Sequence, residues 1–117
     1  MHIERASPVA EKGWYIGPWN ASVSISVGYA NAGLDDPHYH ETMTEIYLVA
    51  RGIVELRVEQ EVVRLAQDDV IVIEPGEAHT FVACSPDYFH FVVQTPGLQG
   101  EAAEADKVRV KRARLGL

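Results

Sequence analysis

The chain has 117 residues, enough for one domain spanning 1–117 that buries about 65% of the surface its unfolded form exposes. Hydrophobic residues make up 47% and charged residues 23%, a globular mixture that argues against a disordered chain. No window approaches the ~20 apolar residues of a membrane helix, and the opening MHIERASPVAEKG is charged where a secretory signal is apolar. A cytoplasmic protein with no membrane partner is the expectation.

The net charge of -7 is unevenly spread. Residues 107–117 hold five of the ten Lys and Arg and no acid, which leaves five basic against 17 acidic residues in the rest. An acidic body repels phosphates, so no nucleic-acid partner is expected. The basic tail reads as a solvated or edge-pairing segment, with Val108 and Val110 alternating with Arg109 and Lys111 as in a short strand. Cys84 is the only cysteine, which rules out an internal disulfide and a thiolate cage. It reads as a small apolar residue on a strand, with a catalytic thiol the lesser alternative.

In chain order, Ser22 to Tyr29 alternates serines with Val23, Ile25, Val27 and Tyr29, the pattern of a half-buried strand with the apolar set inward. Glu45 to Ala50 is the next apolar run, stopped by Gly52, and Val54, Leu56 and Val58 alternate with charged residues in a following strand. Gln60 and Glu61 read as a tight turn into VVRL. Asp68 and Asp69 precede a strand from Val70 to Ile73, Pro75-Gly76 turns the chain, and Thr80 to Ala83 and Tyr88 to Gln94 complete the series. Only Glu101 to Asp106 reads as helix. Many short strands with closely spaced turns mean an all-β sandwich or barrel.

The chemistry concentrates in PHYHETMTE, residues 37–45. His38 and His40 stand two apart, which on a strand puts both imidazoles on one face. Glu45 follows after a turn's length, in phase with Tyr47 and Val49, and His79 comes just after the Pro75-Gly76 turn. Three imidazoles and one carboxylate suit one divalent transition metal (Fe, Mn, Ni, Cu, Zn or Co) better than calcium or magnesium. An isolated histidine pair more often marks surface placement or core packing.

The surrounding pattern points beyond an isolated pair. Gly33, His38, His40, Glu45 and Gly52 stand in the order and nearly the spacing of the first cupin motif, and DDVIVIEPGEAH, residues 68–79, resembles the second. Asp68 replaces the usual glycine, Glu74 the first proline of P-x-G, and Ala83 the asparagine after the last histidine; none is a metal ligand in that pattern. The resemblance spans roughly residues 22–95 and is similar to compact single-domain bacterial cupins. It implies a jelly-roll barrel, the double-stranded β-helix, with His38, His40, Glu45 and His79 as metal ligands at its mouth. Strand phase makes Tyr47, Val49, Phe81 and either Tyr88 or His90 candidates to line that cavity, and the resemblance implies a homodimer.

His90 reads first as a hydrogen-bonded core residue and second as an acid or base beside the metal, in a stretch (YFHFVVQ) whose two faces both read as buried. His2 reads as a terminal bystander. Trp14, Tyr15 and Trp19 read as closing one end of the barrel or as a dimer contact, with ligand stacking the alternative. Cupins with three histidines and a glutamate include dioxygenases, oxalate-degrading enzymes, sugar isomerases and decarboxylases. The resemblance therefore implies a metal-dependent enzyme, oxidoreductase or isomerase, acting on an oxygen-rich small-molecule substrate. The alternative is a non-enzymatic small-molecule-binding module.

Overall fold

The computed structural model describes residues 1–117. In order, the elements are β1 (Lys12–Ile16), β2 (Ser26–Ala30), β3 (His38–His40), β4 (Thr44–Arg51), β5 (Ile53–Val58), β6 (Glu61–Ala66), β7 (Val70–Ile73), β8 (His79–Cys84), β9 (Phe89–Thr95), α1 (Gly100–Asp106), β10 (Lys107–Arg109) and a 3-10 turn (Arg112–Leu115). The strands form two five-stranded sheets, β1-β2-β9-β4-β7 and β10-β3-β8-β5-β6. Every pairing is antiparallel. From β2 onward the chain changes sheet at nearly every connection, so segments distant in sequence face each other across one interior. No helix is long and apolar enough to cross a membrane.

Alternation fills that interior. Glu45, Tyr47 and Val49 of β4 point inward, and Tyr47 and Val49 meet Val54 and Leu56 of β5, Ile73 of β7, Phe81 of β8 and Val92 of β9 in one apolar cluster. Tyr88, just before β9, completes it. The cluster packs one part of the interior, leaving a cavity beside it for the polar groups described below.

The expectation for β2 is corrected in two respects. The strand begins at Ser26, and its inward residues are the small ones, Ser26, Gly28 and Ala30, which pair with Gln94, Val92 and His90. The reason is space: a Cβ on Gly28 would lie 2.7 Å from the Trp14 ring. Val27 and Tyr29 face outward. There Tyr29 is covered locally, with its ring centroid 4.8 Å from Tyr15 and 5.9 Å from Phe89, and its hydroxyl accepting the Ser7 N–H at 2.8 Å. Apolar alternation reports which residues avoid water without saying on which side of the sheet they find cover. The same thin outer layer leaves Phe91 38% exposed, so only the Tyr88, His90 and Val92 face of β9 is fully buried.

The β5–β6 turn lies at Glu59-Gln60, one residue earlier than Gln60-Glu61, because Val58 pairs with Glu61 and closes a two-residue loop. The helix at Gly100–Asp106 and the tail strand match the sequence reading, whereas β1 and the 3-10 turn carry patterns too short to have been read. Strand β10 lies along all of β3, pairing Lys107 with His40, Val108 with Tyr39 and Arg109 with His38. The tail's charge is used in place: Lys107 and Arg109 meet Asp36, Arg112 meets Asp35, and Arg114 meets Glu59. Exposed pairs of this kind contribute little singly. Burial of Leu115, and the bond from Arg57 to its carbonyl at 3.0 Å, anchor the end more firmly.

Two turn positions explain the motif's glycines. Gly52 has φ +79°, and a Cβ there would meet the Ser85 hydroxyl at 2.4 Å. Asp68, standing where the cupin pattern has glycine, also has φ 75°, so the backbone keeps the left-handed turn and an L side chain bears it. The Asp68 side chain makes no hydrogen bond that would offset the cost. Asp68→Gly should therefore raise unfolding stability by about 0.5–1 kcal/mol, read as a higher urea midpoint with unchanged slope.

Candidate metal centre

Four sequence-selected residues converge where β3, β4 and β8 meet. His38 pairs with His79 across β3 and β8, and β4 brings Glu45 up from the opposite sheet. His38, Glu45 and His79 each bring a donor atom within 4.8 Å of the others. Glu45 Oε1 lies 3.0 Å from His79 Nε2 and 3.2 Å from His40 Nε2. The His40 ring centroid is 5.0 Å from that of His38 and 6.3 Å from that of His79. His40 thus reaches the group through Glu45 and stands outside the tightest cluster of three. Glu45, His40 and His79 are buried, and His38 is partly so.

The backbone sets the tautomers. His38 Nδ1 faces the Asp36 carbonyl, and His79 Nδ1 faces the Glu77 carbonyl at 3.0 Å. A carbonyl only accepts, so a neutral imidazole in either place donates from Nδ1 and leaves Nε2 unprotonated. The His79 carbonyl comes from a tied loop. The Glu74 N–H, which the proline of the cupin pattern would lack, donates to Glu77 Oε1 at 2.8 Å, and the Gly76 N–H donates to the His40 carbonyl at 2.8 Å.

The second oxygen of Glu45 is held by donors. The Tyr47 hydroxyl gives a bond of 3.2 Å and the Gln94 amide one of 3.0 Å. Burial works to raise the Glu45 pKa, but where His40 and His79 carry a proton on Nε2 their hydrogen bonds and charges outweigh it and hold the carboxyl well below its ordinary range. Burial, with the Glu45 charge beside it, pushes the Tyr47 phenol well above its ordinary value, so Tyr47 stays a donor. Gln94 was missed in the sequence, although it continues the Tyr88, His90, Val92 phase by one step.

Asp106 was also missed, and no local pattern would have found it. Its Oδ1 accepts the Thr42 N–H at 2.9 Å and the Thr42 hydroxyl, and its Oδ2 accepts the Met43 N–H at 3.1 Å. Burial favours its neutral form, but those bonds prevail and lower its pKa.

The group opens onto a cavity of about 890 Å³, lined among others by Trp14, Trp19, Tyr47, Phe81, His90 and Gln94. Of the cavity residues that strand phase suggests, Tyr47, Phe81 and His90 reach it, whereas Val49 and Tyr88 lie in the apolar cluster behind. His90 fits the first reading given to it, a hydrogen-bonded core residue, while also lining the cavity: it is buried, shares a 2.6 Å hydrogen bond between Nδ1 and the Tyr88 hydroxyl, and stacks on Phe81 at 5.3 Å. Trp14 and Trp19 meet edge to face at 6.4 Å and stay half-exposed at the cavity wall.

The donor chemistry fits a divalent transition metal. A neutral His79 sets its Nε2 lone pair against the Glu45 oxygen, an arrangement that a proton on the imidazole or a cation among the donors relieves. The sequence matches the family profile described as a cupin domain over residues 26–94. The chain belongs to the cupin family. Among curated proteins, none matches its sequence significantly.

Solved structures share this cupin's fold. KdgF from a Halomonas species is 22% identical, with TM-score 0.63 over 79% of this chain and 81% of that one. Pac13, a nucleoside dehydratase whose variants from Streptomyces were solved with uridine, is 16% identical, with TM-score 0.64 over 93% and 92%. A Klebsiella pneumoniae protein with a double-stranded β-helix domain is 19% identical, with TM-score 0.60 over 92% and 90%. The jelly-roll expectation therefore holds, and the family match lies within the span from 22 to 95 that the motifs marked out.

Burial lowers the pKa of His90 to about 4, and burial followed by the charge of His79 lowers that of His38 to about 4. Unfolded imidazoles protonate near 6.5, so between about 4 and 6.5 the unfolded chain binds more protons and these groups make stability fall as pH falls. Above that window they add no pH dependence. Urea midpoints of metal-free protein at pH 7, 5.5 and 4.5 should therefore fall less steeply for His90→Phe than for the wild type; equal slopes would contradict a neutral buried His90.

Proposed function

We propose that this cupin is a metal-dependent enzyme acting on a small oxygen-rich molecule, with His38, His40, Glu45 and His79 holding one divalent transition metal. The observation that carries the proposal is the meeting of His40 and His79 Nε2 at one Glu45 oxygen, beside a cavity of about 890 Å³. A structural zinc site is normally closed, commonly by cysteines; this one gives onto a cavity. A bound metal would supply Lewis acidity toward a carbonyl, enediol or carboxylate oxygen.

The chain's own residues do the rest. Tyr47 and Gln94 fix the Glu45 carboxylate from behind, so its free oxygen faces the imidazoles. Phe81 and Tyr47 supply an apolar wall that limits water and strengthens polar contacts inside. With Nδ1 occupied by Tyr88, His90 keeps Nε2 for a substrate hydroxyl or carbonyl. Reaction classes consistent with this arrangement are dioxygenation, isomerisation, decarboxylation and, by likeness to the nucleoside dehydratase, elimination of water.

Purified protein should carry about one equivalent of Fe, Mn, Ni, Cu, Zn or Co, and His79→Ala should lose nearly all of it by elemental analysis. Turnover should appear in an aerobic and anaerobic panel of diols, keto acids, flavonoids and nucleosides. Metal without turnover across that panel would count against catalysis.

A second reading, a non-enzymatic binding module, is favoured by the half-exposed Trp14 and Trp19 on the cavity wall, which offer stacking area independent of any metal. Metal-free wild-type protein that still binds ligand would establish it. We also propose a homodimer working in the cytoplasm. Sheet-edge strands β6 and β7 expose Val62, Val70 and Val72, and the exposed, unpaired Cys84 suits a reducing compartment. Light scattering should give about twice the 13.0 kDa chain mass.

A further inference from the structure

His40 lacks what the other two histidines have. His38 and His79 each rest Nδ1 on a backbone carbonyl two residues earlier. His40 has no such carbonyl, and its Nδ1 is buried without a hydrogen-bond partner. The nearest anionic atom is Asp106 Oδ2, 3.5 Å away and as buried as the ring itself.

Asp106 is held there by several bonds. Its carboxylate takes the N–H groups of Thr42 and Met43 and the Thr42 hydroxyl, and its backbone carbonyl takes the Glu41 N–H at 2.9 Å. These bonds clamp the turn that joins His40 to Glu45. Strand β10, starting one residue later, pairs with β3 over its whole length, whereas β8 pairs with it only at His38.

We infer that Asp106, lying outside the cupin motifs, is a positioning residue for the metal centre: its carboxylate keeps the His40 proton on Nδ1 and turns Nε2 toward Glu45. It does from the C-terminal segment what backbone carbonyls do for His38 and His79. Carboxylates behind metal-bound histidines fix the ring and raise its basicity in this way. The inference rests on the metal reading proposed above.

The test is calorimetric titration of the metal-free full chain with Co2+, for wild type, Asp106→Asn and Thr42→Val. Asp106→Asn should weaken binding on the order of 10–100-fold and shift the visible absorption bands of the bound cobalt. Thr42→Val removes one bond of the clamp and leaves the carboxylate facing His40. It should lower the melting temperature while leaving affinity and spectrum nearly unchanged. In the unsubstituted, Zn2+-loaded protein, nitrogen-15 NMR should show a slowly exchanging Nδ1–H on His40, a readout that needs no variant to fold. Wild-type affinity in Asp106→Asn, an equal loss in Thr42→Val, or no protected Nδ1–H overturns the role of Asp106 and leaves the metal reading standing. A wild-type chain that takes up no Co2+ removes both.

Discussion

A carboxylate oxygen and an unprotonated imidazole nitrogen repel each other, and a neutral His79 sets such a pair 3.0 Å apart. The residues around this pair fix its geometry from several sides. Backbone carbonyls at Asp36 and Glu77 decide which ring nitrogen keeps its proton, and Tyr47 and Gln94 occupy the other carboxylate oxygen. Burial raises the stakes, because a low dielectric strengthens both the repulsion and the attraction that relieves it.

The fold resolves a geometric problem that a flat sheet cannot. The imidazoles of β3 and β8 share one sheet, and the Glu45 carboxylate comes from the other. A chain that changes sheet at nearly every connection brings β4 opposite β3 after a turn of only a few residues. The apolar cluster from Tyr47 to Val92 then fixes the spacing between sheets, so the donors inherit the rigidity of a packed core.

Much of this was legible before any coordinates. Period-two alternation marked most strands, and the two histidines two apart, with Glu45 and His79 at cupin spacing, named the residues that meet. What stayed hidden had physical reasons. Strand β2 buries its small residues against the cavity and its larger ones under the N-terminal segment, so its apolar face pointed to the wrong side. Asp106 works through backbone N–H groups more than sixty residues away in sequence, a contact that leaves no periodic trace. Asp68 departs from the motif's glycine yet keeps its left-handed backbone, so a changed letter concealed an unchanged turn.

The pairing of β10 with β3 bears on when the site can exist. The family match ends at residue 94, and a chain folded only that far would contain every proposed ligand while its shortest ligand-bearing strand had a single paired position. Loosening of the C-terminal segment alone would therefore free β3 from all but its His38 pairing while leaving the sheets that enclose the apolar core in place.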